Sequence, residues 1–410
     1  MLSNLKTKSN KDIAIVSIGS LNKNAGPDIF NAQIKIDNQL WAGNVEIHVK
    51  SSDWFLHNHE MDSNYDSVIL HVVWEYDTDI YRKDNSCIPT LELKPYVSME
   101  ALNNYEKLFS KSKKWINCET DFSLVKKFTL NNWLERIYFE RLEKKSKTII
   151  QLLDDSKNDW EAVLFKMLAK NFGLKVNGDA FFSMVNSIDF SIIKKTSNLP
   201  FNLEALFFGQ AGLLDNDEQD TYFLELKREY EFLVRKFNLS NQNVVPVQFF
   251  RLRPLNFPTI RLSQLANLYV KTANLFSKII EIPTIEGFYE LLSSGTSPYW
   301  ETHYSFGKTS KTSKKGLSKS FINLLLINTI VPLKYTYAYK MGQQADEEIL
   351  NLIAQIPPES NKIVDKFEEM QSICSSALES QALIQLKNEY CDKNRCLQCT
   401  IGNEILTGIV

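Results

Sequence analysis

The chain has 410 residues, with 47 basic and 49 acidic side chains and a formal net charge of −2. Hydrophobic residues make up 44% and charged ones 23%, an ordinary globular mix that excludes disorder over most of the length. The near-neutral balance also excludes a simple polycation that coats nucleic acid or anionic membrane.

Met1 to Asn10 is polar and has no apolar run, so a secretory leader is not expected. Residues up to about 97 read as β-rich. Asp12 to Gly19, Ile29 to Asp37, Gly43 to Lys50, Tyr65 to Tyr76 and Ile88 to Lys94 are rich in β-branched and aromatic residues, and turn residues bound them. Asp37-Asn38 suits a tight turn between the second and third of these strands. After Pro95 the apolar spacing becomes helical. Helices are expected over Met99 to Trp115, Leu130 to Leu153, Trp160 to Phe172, Asp220 to Phe237, Ile260 to Ile280, Phe321 to Ile330, Asp346 to Gln355 and Lys362 to Tyr390. Only 14 glycines and 12 prolines interrupt the chain, about half the usual share, which also favours long helices. The expected fold class is α+β: a small mixed β-sheet domain over 1–97, then a large all-α domain over 98–410. No apolar stretch reaches ~18 residues, so no membrane partner is expected. Six cysteines, half of them near the C-terminus, do not form a disulfide framework, and a reducing cytoplasm is the expected compartment.

Charge is unevenly divided. Up to Tyr105 there are 9 basic and 14 acidic residues, a net of −5, and the remainder carries +3. Four of the five histidines, His48, His57, His59 and His71, fall within 24 residues of the acidic part. Glu46, His48 and Lys50 alternate along one strand and share a face, which leaves Val45, Ile47 and Val49 to face the core. His71 sits in an apolar strand, where an imidazole needs a partner. His57 and His59 lie between the strands with Asp53, Glu60 and Asp62. Neutral imidazole and carboxylate are ligands for zinc, manganese and iron.

Pro27-Asp28, then 17 intervening residues, then Glu46-x-His48, resembles the PD-(D/E)xK nuclease pattern. The resemblance implies a divalent ion such as Mg²⁺ or Mn²⁺ held by Asp28 and Glu46. His48 stands at the position of the family's lysine, with Lys50 the nearest cation on that face. Histidine is a competent general base. A separate reading places zinc on His57, His59 and His71 without any nuclease chemistry. Isolated strand histidines are also often structural.

Three further signals follow. Cys391-x4-Cys396-x2-Cys399 resembles half of a zinc or iron–sulfur knuckle, for which Cys374, Cys118 or His303 is the candidate fourth ligand. Arg251, Arg253 and Arg261 are interleaved with aromatics and prolines, a composition that suits phosphate or stacked bases, or a braced helix junction. Lys311, Lys314 and Lys315 belong to a basic loop with no acid between Thr302 and Ala345, which suits phosphate contact or plain solvation.

Several of these runs, including GPDIFNAQIKID, WAGNVEIHVKSSDW, LFFGQAGLL and the ending YCDKNRCLQCTIG, are similar to an uncharacterised bacterial family, domain of unknown function 2851, mostly from Bacteroidota. That resemblance implies a uniform architecture and supplies no activity. The functional expectation is a metal-dependent phosphodiesterase that acts on nucleic acid. The alternative is a non-catalytic protein-interaction or structural protein with a structural histidine cluster.

Overall fold

The structure, a computed structural model, describes residues 4–110 and 114–408. The chain is α+β, a mixed sheet followed by a large helical region. It divides into two compact units, one comprising Met1–Lys113 with Asn403–Val410 and the other Lys114–Gly402.

In the first unit, β1 (Leu5–Lys6), β2 (Asp12–Ser17), β3 (Ser20–Leu21), β4 (Ile29–Ile36), β5 (Gln39–Lys50), β6 (Val68–Glu75) and β7 (Thr90–Glu92) form one sheet. Its order is β1-β2-β4-β5-β6-β7, with β3 also paired to β4. Asp37 and Asn38 both take positive φ, 48° and 67°, and join β4 to β5 in a two-residue hairpin closed by the pair Ile36 and Gln39. Such a turn matches the right-handed twist of the strands it joins. Along β4, Ala32, Ile34 and Ile36 are buried while Asn31, Gln33 and Lys35 are exposed. With Leu5, Ile13, Val45, Leu70 and Leu91 they form the core of one sheet face.

β5 runs antiparallel to β4 but parallel to β6. A parallel neighbour cannot be reached by a hairpin. Residues 51–67 therefore cross over the opposite face of the sheet, through the short helical turns Asp53–Leu56, His59–Met61 and Ser63–Tyr65. Asp77, just beyond β6, anchors the start of this crossover. Its carboxylate accepts from Ser51 Oγ at 2.8 Å, Ser52 Oγ at 2.7 Å and the Ser52 backbone N–H at 2.9 Å. These bonds, those of Ser52 foremost, pull the Asp77 carboxyl down to about 2. Trp54 and Tyr65 from the crossover then pack with Val68, Ile80 and Ile88.

This corrects the expected facing of β5. Val45 joins the core, but Ile47 is 44% and Val49 65% exposed, whereas Glu46 is only 5% exposed. The crossover covers the polar stripe of β5, and the apolar stripe beyond Val45 is left uncovered.

Helix Met99–Leu108 is capped by Ser98, whose Oγ accepts the Ala101 N–H at 3.1 Å. Asn104 Nδ2 donates to the carbonyls of Ile405 and Leu406, which ties the chain's C-terminal turn to this unit. The expected helix up to Trp115 ends earlier, at Leu108 with Phe109 as its C-cap, and 111–113 lie outside the described residues.

The helical unit includes Lys127–Asp155, Trp160–Phe172 and Thr221–Phe237, close to the periodicity of the sequence. Helices without a sequence expectation include Ile285–Leu291, Val331–Lys340, Leu174–Asn186, Phe190–Thr196 and Pro200–Gln210. In the last of these, every residue from Leu203 to Gln210 is buried. A helix buried on all sides shows little amphipathic stripe to detect. Two expected long helices are broken. Ile260 to Ile280 divides into Pro258–Lys271 and Leu275–Glu281 at Asn274, which takes φ 53°. Lys362 to Tyr390 breaks between Met370 and Ala377, where Ser376 and Glu379 form a capping box that starts a new helix. No helix among the described residues is long and apolar enough to cross a membrane.

Candidate metal centre

Asp28 stands at the entrance to β4, and Glu46 lies on the neighbouring β5. Their contacts are reciprocal. The Asp28 backbone N–H donates to Glu46 Oε2 at 3.1 Å, and Asp28 Oδ2 accepts the Ile47 N–H at 3.0 Å. Each carboxylate thus has one oxygen fixed by the backbone. The free oxygen of Glu46, Oε1, lies 3.5 Å from His48 Nε2 and 3.4 Å from His59 Nε2. His48 Nε2 is also 3.0 Å from His57 Nδ1. One ligand atom from each of His48, His57 and His59 lies within 4.8 Å of the others.

The crossover shapes this convergence. Its Asn58 takes φ 58°, a left-handed conformation that asparagine tolerates, and it separates the two imidazoles of the His-Asn-His run. His59 stacks on Tyr65 with centroids 3.7 Å apart and meets the Trp54 ring edge-on at 5.4 Å. The sequence did not single out these two aromatics. Trp54 and Tyr65 flank the histidine run, but their burial over it comes from the crossover. Behind the cluster, His48 Nδ1 lies 2.9 Å from His71 Nε2. His71 is fully buried, and its other ring nitrogen has no hydrogen-bond partner. The imidazole grouped with His57 and His59 is therefore that of His48, not that of His71. His48 joins His57 and His59 around the centre, and His71 supports His48 from the rear. Lys50 is exposed and meets Asp53 through its backbone N–H, at 2.9 Å.

Burial sets the electrostatics. It raises the Glu46 carboxyl to about 7, with the Asp28 carboxylate adding to the rise. It lowers His48 to about 4 and His71 to about 3, with neighbouring histidines contributing. His59 is lowered by burial and by His57. The buried imidazoles are therefore neutral, the form that binds metals, and the carboxylate lacks a countercharge. A cation at this point would supply it. The residues present fit a divalent transition ion, with Glu46, His48, His57 and His59 as its holders. His57 is exposed, so the cluster opens to solvent on that side.

The other expected residues fall elsewhere. Arg251, Arg253, Lys311 and Lys314 are exposed. Arg261 is buried: it donates to Gln264 Oε1 at 2.9 Å and Asn256 Oδ1 at 2.6 Å, and lies over the Phe321 ring. Lys315 is buried and donates to the carbonyls of Trp300, Glu301 and His303. Both cations are engaged inside the helical unit, which corrects the expectation that they meet nucleic acid. Cys391, Cys396 and Cys399 also belong to the helical unit and do not join the histidine centre.

A family described as protein of unknown function (DUF2851) matches residues 1–362. The chain belongs to that family. The match takes in the whole DUF2851 histidine centre and stops short of the three C-terminal cysteines. No curated protein and no solved structure matches this DUF2851 chain significantly.

Proposed function

We propose that this chain is a metal-dependent phosphodiesterase of nuclease type. Its N-terminal unit would hold a divalent transition-metal ion on Glu46, His48, His57 and His59. The observation that carries the reading is the approach of three imidazole nitrogens to one another, with Glu46 Oε1 within 3.5 Å of two of them. Nitrogen-rich sites with one carboxylate suit zinc, manganese or iron. When bound, such an ion lowers the pKa of water and stabilises charge on a transferring phosphoryl group.

The chain's own groups do the rest. The Asp28 N–H orients Glu46, His71 fixes the ring of His48, and Trp54 and Tyr65 confine His59. The phosphodiester assignment is supported by the likeness of Pro27-Asp28 and Glu46-x-His48 to the PD-(D/E)xK pattern. Exposed Arg251, Arg253, Lys311 and Lys314 are the cations open to a nucleic-acid backbone. A second reading, a non-catalytic interaction protein, draws on the exposed Ile15, Val16, Ile18 and Leu21, each more than half accessible.

The test is to incubate purified protein with Mg²⁺, Mn²⁺ or Zn²⁺ and labelled single- and double-stranded DNA and RNA. Metal-dependent cleavage that Glu46→Gln abolishes is the expected result. Failure to find any Glu46-dependent cleavage would remove the hydrolase reading and favour the interaction protein.

A further inference from the structure

The helical unit contains a second set of ligand-type side chains, unconnected with the hydrolytic proposal. Cys391 ends the helical segment Leu386–Cys391, and Cys396 and Cys399 follow on a tight turn. The Asn394 N–H donates to Cys391 O at 3.1 Å and the Cys399 N–H to Cys396 O at 3.2 Å. Asn394 takes φ 52° to close the first of these loops. Gly402 lies so near the turn that a Cβ there would meet Cys396 O at 2.2 Å, which explains a glycine at that position.

A fourth thiol arrives from more than 270 positions earlier in the chain. Asn117, the neighbour of Cys118, donates from Nδ2 to Cys396 Sγ at 3.4 Å and to Asn394 Oδ1 at 3.1 Å. This docks the Cys118 loop onto the cysteine turn. Burial raises Cys391, which Cys118, Cys399 and Cys396 raise further, and burial raises Cys118, which Cys399 and Cys396 raise further. All four are free of disulfides. Burial raises Cys399 to about 11, against the backbone N–H groups of Gly402 and Ile401, which favour a charged sulfur. The Trp133 indole also favours it, although this buried N–H makes no hydrogen bond of ordinary geometry. Thiols gathered by long-range packing without disulfides are the ligand type of zinc and iron–sulfur centres.

We propose that Cys118, Cys391, Cys396 and Cys399 together hold a metal centre of the iron–sulfur class. The spacing separates this from a single zinc ion. Zinc–sulfur bonds of about 2.3 Å would draw four thiolates to about 3.8 Å from one another. Among the described residues, the ligand set closed to within 4.8 Å is the histidine one. An iron–sulfur cluster distributes its cysteine ligands over several iron atoms and holds them farther apart. Cys374 lies outside the set, since its thiol is influenced by burial, Glu368 and Glu379 and not by another cysteine.

The test is to purify the full chain anaerobically, measure iron, acid-labile sulfide and zinc per chain, and record the visible absorption spectrum. Iron with labile sulfide is expected, lost in Cys118→Ser as fully as in Cys396→Ser and retained in Cys374→Ser. Variants that fail to fold are bypassed by alkylating the folded wild-type chain and locating the modified cysteines by mass spectrometry. Four protected thiols that react once iron is chelated support the centre. Zinc without sulfide overturns the cluster, and four thiols that react freely without chelation overturn the site. Neither result bears on Glu46-dependent cleavage.

Discussion

Glu46 and His71 are register partners across the parallel pairing of β5 and β6, and both are buried. Two ionisable side chains side by side on a covered sheet face are costly unless something compensates them. The crossover from Trp54 to Tyr65 closes over this pair and supplies two further imidazoles. The pairing thus explains both the burial and the convergence of the imidazoles.

Removing the support behind His48 should weaken metal binding without removing a ligand. His71→Ala is expected to lower affinity for Zn²⁺ or Mn²⁺ by 10- to 100-fold, the usual effect of an outer-shell partner. His57→Ala and His59→Ala should remove binding more completely. Isothermal titration of metal-stripped protein checks the order. Equal affinity in wild type and His71→Ala would contradict the supporting role.

The facing of β5 makes a stability prediction. Val49→Ser, on the exposed stripe, should change unfolding free energy by about 0.5 kcal/mol or less. Trp54→Ala, which empties the space above the polar stripe, should cost about 3–5 kcal/mol. Urea denaturation of the two variants provides the comparison. A larger loss from Val49→Ser would restore the apolar stripe to the core.

Glu204 is a fully buried carboxylate that accepts from Tyr222 Oη at 2.6 Å, Ser297 Oγ at 2.5 Å, Trp300 Nε1 at 3.1 Å and Ser263 Oγ. Burial raises its pKa against the pull of these donors. Glu204→Gln turns an amide N–H₂ toward groups that already donate. The expected loss is on the order of 3 kcal/mol, because buried donors lose their acceptor. Differential scanning calorimetry should show the helical unit melting earlier, and an unchanged transition would argue against a structural carboxylate.

Lys145 donates to Ile327 O at 3.3 Å and Asn328 Oδ1 at 3.1 Å, and burial, helped by Arg141, lowers its pKa to about 7. Between pH 7 and its unfolded value near 10.4, the unfolded chain holds this proton and the folded chain does not. Stability from this group therefore rises with pH, with a slope approaching about 1.4 kcal/mol per unit. Lys145→Met should flatten the pH 7–9 segment of the stability profile relative to wild type. Parallel profiles would show that the lysine keeps its proton.

Much of the molecule was readable in advance. Runs of β-branched and aromatic residues bounded by turn residues marked β2, β4, β5 and β6, and positive φ at Asp37-Asn38 follows from residue types that tolerate it. The histidine cluster and the Pro-Asp…Glu-x-His spacing located the candidate centre. Local periodicity also marked Trp160–Phe172 to the residue. It missed Pro200–Gln210, whose burial on every side hides its helical period, and it ran through the breaks at Asn274 and Gln371–Ser376.

The sequence by itself determined which segments concentrate ligand-type side chains: imidazoles, paired carboxylates and clustered thiols. Tertiary structure decided how they are grouped. Alternation says that Glu46 and His48 share a face but not which face is covered, and the parallel step from β5 to β6 settled that. It also placed His48 among the ligand-type atoms and His71 behind it. In the helical unit, long-range packing brought Cys118 to the C-terminal turn and withdrew Arg261 and Lys315 from solvent. Side-chain type is local, but burial and convergence depend on contacts between segments far apart in the chain, and those exist only once it has folded.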